Sequence, residues 1–168
     1  MSPPWRALAA LVGDLLRLRR GPQDVPYSPT LLLLALIPYA LLGSALAAFA
    51  MPVSRALLYG PTEAALLGAL VYASLAVRRH PARFVQTLTA LALVGVVFNA
   101  LSLPLTALAR PENGLGLLIL ALVAWSFAVS VHILRLALDI PVPGSVLVNL
   151  GFFFAAYYGL GHLFGLLS

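Results

Sequence analysis

The sequence predicts an all-α polytopic membrane bundle, five transmembrane helices preceded by an N-terminal interfacial amphipathic helix. Hydrophobic residues make up 62% of the chain and charged residues 9%, and mean hydropathy is +1.02, which excludes an ordinary soluble domain. The apolar residues gather into runs that, at 1.5 Å rise per residue, match ~30 Å of hydrocarbon. Between the runs stand Pro, Gly and Arg, and the densest charge cluster is Arg78-Arg79-His80-Pro81-Ala82-Arg83.

A net charge of +5 would hint at nucleic acid in a soluble protein. Here it reads as arginine facing anionic headgroups, so the expected partner is the lipid bilayer and not nucleic acid. The ten basic residues are all Arg. The absence of Cys removes disulfides, thiolate chemistry and Cys-ligated metals together.

Residues 1–27 form the expected cytoplasmic interfacial helix and connector, and residues 28–168 the bundle. From Pro3 to Arg20, Trp5, Leu8, Val12, Leu15 and Leu16 share one side at helical spacing, with Arg6, Asp14 and Arg17 on the other. Asp14 and the arginines after it interrupt the apolar core too early for a signal peptide, the competing reading. Gly21-Pro22 ends this helix, and Gln23 to Tyr27 is extended, because Pro cannot continue a helix.

Ser28 as N-cap and Pro29 at the first helical position open the first span, about 29–50. Pro38 kinks it. The second span, about 60–77, is expected to start at Gly60-Pro61-Thr62-Glu63, with Gly60 or Thr62 as cap and Glu63 in the first turn; the run from Thr62 to Val77 is short, so either Leu57 to Tyr59 contribute or the bilayer thins there. The third covers 84–108 and carries Gln86, Asn99 and Pro104. The fourth covers 115–138, with Trp125 near mid-depth, and the fifth covers 145–167 with Ser145 as cap. With the N-terminus inside, Arg6, Arg17, Arg19, Arg20, Arg78, Arg79, Arg83 and Arg135 lie on the inner side, and only Arg55 and Arg110 on the outer. That asymmetry predicts a cell (inner) membrane protein with a cytoplasmic N-terminus and an external C-terminus.

Polar groups at membrane depth are candidates for function, because burying them unpaired costs several kcal/mol. Glu63, Asn99, His132, Arg135, Asp139 and His162 are those candidates. Spacings of three and four put His132, Arg135 and Asp139 on one helix face, as a proton relay needs, and equally as Arg135 pairing with Asp139 needs. Glu63 in a first turn offsets a helix dipole, the plainer account than a cation or proton site. Asn99 and Ser102 are placed to satisfy the carbonyl that Pro104 frees.

Two rows of small residues allow close helix approach. They are Ala40-Ser44-Ala48 in the first span and Gly151-Ala155-Gly159 in the fifth, with the first span as the expected partner of the fifth. No zinc-protease, nucleotide or Gly-rich phosphate motif and no His/Asp/Glu cluster occurs, so no catalytic, cofactor-binding or metal residue is assigned.

The stretch Arg83-Phe84-Val85-Gln86-Thr87-Leu88, running on to Leu103-Pro104, resembles the third-span region of bacterial Ypt-interacting-protein (YIP) family membrane proteins. Trp125-Ser126 through Leu134-Arg135-Leu136-Ala137-Leu138 is similar to that family's fourth and fifth spans. The likeness covers roughly Arg78 to Leu167 and implies five spans with the N-terminus inside. Leu58-Tyr59-Gly60-Pro61 lacks the Asp of the eukaryotic Asp-Leu-Tyr-Gly-Pro motif and falls on the opposite side. The eukaryotic role of binding small GTPases therefore does not carry over, and the resemblance implies no catalytic residue.

The resulting expectation is a non-enzymatic scaffold or accessory subunit that docks other membrane protein subunits or a second copy of itself. The alternative is a small channel or transporter subunit using the intramembrane polar residues. What separates the two is whether those residues converge on one cavity or scatter to separate helix contacts.

Overall fold

The computed structural model describes residues 4–110 and 112–166, and among them there is no strand. Pro3, Pro111 and the end of the fifth span at Leu167 lie outside the described residues. Six helices follow in order: α1 (Pro4–Leu16), α2 (Pro29–Ala47), α3 (Val53–Val77), α4 (Phe84–Leu108), α5 (Leu115–Leu138) and α6 (Val142–Leu163). The last five are each long and apolar enough to cross a membrane. Helix α4 is the central member, packed against α2, α5, α3 and α1. Its buried residues Leu88, Leu91 and Val94 meet Val71 and Leu75 of α3 and Val129, Ile133 and Leu134 of α5 in one core.

The local chemistry of the ends follows from unpaired backbone groups. Ser28 Oγ accepts the Leu31 N–H at 3.2 Å ahead of Pro29, as a helix start requires. Three helices close through a non-glycine residue at positive φ: Leu18 after α1, Arg79 after α3 and Asp139 after α5. In each case the next N–H reaches back five residues, Arg19 to Asp14, His80 to Leu75 and Ile140 to Arg135, so the last carbonyls find partners. Arg78 and Arg83 reinforce the end of α5. Arg78 Nε donates to the Leu138 carbonyl at 3.2 Å, and Arg83 Nη1 to that of Ala137 at 3.0 Å. Arg78, Arg79, Arg83 and Arg135 thus define one end of the bundle, called here the arginine-rich end.

The third and fourth spans run as the sequence predicts. The others differ. Helix α2 stops at Ala47 rather than 50. Helix α3 begins at Val53, so Pro61 lies inside it and not at its start. Proline leaves the carbonyl four residues back unpaired, which is Leu57. Ser44 of α2 stands opposite and directs its hydroxyl to that carbonyl at 3.4 Å, while accepting the Gly60 N–H at 3.2 Å. A neighbouring helix therefore replaces the missing bond, and the helix runs through its proline. Helix α6 begins at Val142 with Pro141 as cap. Ser145 lies inside it and bonds back to the Val142 carbonyl at 2.9 Å, so it is no cap.

The apolar side of the N-terminal helix lies on the bundle and differs in part from the predicted face: Leu8, Leu15 and Leu16 pack inward, Leu11 joins them, and Trp5 is exposed. Leu11 and Leu15 are buried in the core with Leu91, Val94 and Ile133. The Trp125 indole donates to the Leu16 carbonyl at 3.1 Å. Trp125 lies about 20 Å from the arginine-rich end of α5 at 1.5 Å per residue. The segment after α1 then returns along α5 and α4. His132 Nε2 lies 3.2 Å from the Arg20 carbonyl oxygen, and Gln86 donates to the Val25 carbonyl at 2.7 Å. Residues 4–25 thus form a re-entrant hairpin seated on α4 and α5.

Candidate functional site

The site is assembled where α2 and α3 cross most closely. Gly60 has no side chain, and a Cβ there would overlap the Ala40 carbonyl oxygen. Backbone contact at that point brings Glu63, one turn further along α3, to the inner face of α2. Glu63 stands near the middle of the Val53–Val77 helix, not in a first turn. Tyr39, buried on α2, donates its hydroxyl to Glu63 Oε1 at 3.2 Å. The second oxygen, Oε2, is 2.8 Å from the point a Cβ on Gly43 would take, so Gly43 makes the room that the carboxyl occupies. The Tyr39 ring is seated in turn by α4, since a Cβ on Gly95 would stand 2.6 Å from its Cε2 atom.

The carboxyl opens onto a cavity of about 280 Å3 lined by Tyr59, Glu63 and Asn99, with Ala50 and Met51 from the α2–α3 connection and Leu166 beyond α6. Its lining therefore runs from mid-span to the end of the bundle opposite the arginines. Toward the arginine-rich end it is closed by Ala35, Tyr39 and Ala92, all buried, with Leu67 against them. Among the described residues the one ion pair is Asp14 with Arg20, at 3.1 Å, so no cation neutralises Glu63. An isolated carboxylate at that depth is expensive unless a proton or a cation joins it.

The other predicted residues separate. Asn99 lines the same cavity and makes no hydrogen bond to the described chain, so it does not serve the carbonyl freed by Pro104. His132 is taken up by the Arg20 carbonyl. Arg135 and Asp139 are both exposed and are not paired with each other, and Asp139 closes α5 in the left-handed conformation. His132, Arg135 and Asp139 therefore form no relay. His162, in the last turn of α6, is exposed. Of the first small-residue row, Ala40 and Ser44 meet α3, while Ala48 is the exposed cap after α2. Ala155 is half-buried, and a Cβ on Gly151 or Gly159 would meet nothing within 4 Å, so this stripe does not dock the first span.

Tyr39 and Tyr59 are the site residues that sequence reasoning missed. A tyrosine inside an apolar run, next to Pro38 and one turn before Gly43, was the available signal. Asn149 was missed too, and joins α6 to α5 through the Phe127 carbonyl at 3.4 Å. No group of three or more His, Asp or Glu able to hold a metal is found among the described residues. No family model, curated protein or solved structure matches the chain.

Proposed function

We propose that this protein is a small channel or transporter subunit in which Glu63 takes up a proton or a monovalent cation within the membrane. One observation carries the reading: the Glu63 carboxyl, held by Tyr39 and without a cationic partner among the described residues, faces a cavity shared with Asn99 that extends to one end of the bundle. A carboxyl, a carboxamide and a phenol offer oxygen ligands or proton acceptors, and the closed side gives the site access from one face. By the arginine asymmetry, the open face is external, and the protein sits in the cell membrane with its N-terminus cytoplasmic. Reporters fused after Arg79 and after Asn113 test this orientation, and should read cytoplasmic and external respectively.

The direct test is flux into proteoliposomes holding the purified protein, under imposed proton, sodium or potassium gradients. Wild type should move one of these ions, and Glu63→Gln should abolish the movement while remaining folded. Absence of flux in wild type, or equal flux in Glu63→Gln, sinks the reading.

The scaffold reading is supported by a separate observation, the open space beside Gly151 and Gly159. A stripe without side chains facing lipid forfeits dispersion contacts that a helix of another subunit can supply. Ala155→Leu should then release a co-purifying subunit from native membranes without changing the stability of the isolated protein. Membership of the YIP-like five-span proteins belongs with this second reading, and is supported by the third-span stretch Arg83 to Pro104.

A further inference from the structure

We propose that the wedge between α3 and α6 at the arginine-rich end binds one anionic phospholipid, with an acyl chain between the helices and its phosphate at the arginines. The two helices meet at the opposite end, where the Tyr59 and Phe164 rings pack at 5.3 Å and Ala56 and Leu160 share a buried cluster. Toward the arginines they part, leaving a groove of about 450 Å3. Ala73, Ser74 and Val77 form one wall, Gly144 and Val148 the other, and Leu138 the floor. The walls are almost wholly apolar, and Val77 is 81% exposed. Gly144 adds no side chain to its wall, and the nearest atoms to a Cβ there belong to Ile140, at ordinary contact of 3.6 Å.

The mouth is cationic. Arg78 uses Nε on the Leu138 carbonyl and Nη2 on that of Asp139, each at 3.2 Å, which leaves Nη1 uncommitted. Arg79, next in the chain, is exposed, and its side chain makes no hydrogen bond among the described residues. Helix α6 also begins here, and Val142 and Gly144 in its first turn have N–H groups with no partner in the helix ladder. Arg78, Arg79, Arg83 and Arg135 at this end outnumber its carboxylates, Asp139 and Asp24, the latter beside the Val25 carbonyl that Gln86 bonds.

An apolar slot beneath a cationic mouth matches the two parts of an anionic lipid. The experiment is native mass spectrometry of delipidated protein given equal amounts of phosphatidylglycerol and phosphatidylcholine. Wild type should retain phosphatidylglycerol about fivefold over phosphatidylcholine, the preference expected of one arginine for a headgroup of net negative charge over a zwitterionic one. Gly144→Leu, which fills the slot, and Arg79→Gln, which strips charge from the residue next to Arg78, should each remove the preference. Arg110→Gln, at the other end, should keep it. Ser74→Leu, on the opposite wall, replaces Gly144→Leu should that variant not fold. Equal retention of the two lipids by wild type overturns the proposal. So does a preference that survives either variant, or one that Arg110→Gln removes as well.

Discussion

Ser44 and Gly60 lock α2 to α3 at the one place where α3 cannot bond to itself. The Gly60 N–H donates to Ser44 Oγ at 3.2 Å, and the same hydroxyl faces the Leu57 carbonyl that Pro61 leaves free. Ser44→Ala removes both partners from buried backbone, and should lower stability by about 1 kcal/mol, read as a fall in the unfolding midpoint in mild detergent. An unchanged midpoint would mean that water reaches the Leu57 carbonyl.

Gly60→Ala should be far worse. Its methyl overlaps the Ala40 carbonyl, which belongs to backbone and cannot swing aside. The helices must separate, at roughly 3 kcal/mol. Gly151→Ala offers the contrast in the same measurement. Nothing stands within 4 Å of its methyl, and Ala is the better helix former, so stability should hold or rise by up to about 1 kcal/mol.

Gly43 and Tyr39 can be separated by their effects on Glu63. Gly43→Ala puts a methyl 2.8 Å from Oε2, closer than the two can stand, and should displace the carboxyl from Tyr39. Tyr39→Phe removes the donor at 3.2 Å and leaves the space unchanged. Both should alter ion flux if Glu63 is the binding group, and Tyr39→Phe should do so at little cost in stability, of order 1 kcal/mol. Flux that both substitutions leave untouched would take the site away from this cavity.

The reach of the sequence can be judged from the same residues. Phe84–Leu108 and Leu115–Leu138 were legible because each is a long, mostly apolar run between Pro, Gly and charge. The start of α3 was not. Pro61 reads as a helix start, and its tolerance depends on Ser44, a residue of another helix. The Tyr39–Glu63 bond joins residues 24 apart in the chain. These spans are apolar all round, so periodicity names no inward face, and neither that pairing nor the outward turn of Gly151 and Gly159 could be read from spacing. Asn99 and Glu63 were found by a rule that needs no azimuth: a polar group at membrane depth has to be satisfied somewhere.

The arginines of the Arg78–Arg83 loop are predicted to differ in their effect on stability. Arg78 and Arg83 donate to the last carbonyls of α5, whereas the Arg79 side chain makes no hydrogen bond among the described residues. Arg78→Ala or Arg83→Ala should each destabilise by about 1 kcal/mol through lost charge-assisted bonds at a helix C-terminus. Arg79→Gln should fall within about 0.5 kcal/mol of wild type. Three equal midpoints in thermal unfolding would show that these arginines act only as topology signals.

Removing the N-terminal helix tests where its apolar face lies. A helix lying on lipid could be deleted with the five spans still inserted and stable, since it would cover nothing but headgroups. Here Leu15 is wholly buried and Leu11 is 6% exposed, both in the core with Leu91 and Val94 of α4. The Trp125 indole also spends its N–H on the Leu16 carbonyl. Deleting residues 1–20 should therefore leave insertion intact but bare that core surface to lipid and orphan the Trp125 donor. In a bilayer the lost term is packing rather than hydrophobic transfer, so the destabilisation should be about 2–3 kcal/mol rather than the larger figure that two buried leucines carry in water. Leu15→Ala, which keeps the helix and removes only its deepest side chain, should reproduce about half of it. Trp125→Phe isolates the hydrogen bond and should sit near 1 kcal/mol. The ordering is read from unfolding midpoints in one detergent: the deletion lowest, then Leu15→Ala, then Trp125→Phe. A deletion as stable as the full chain would return this helix to the membrane surface.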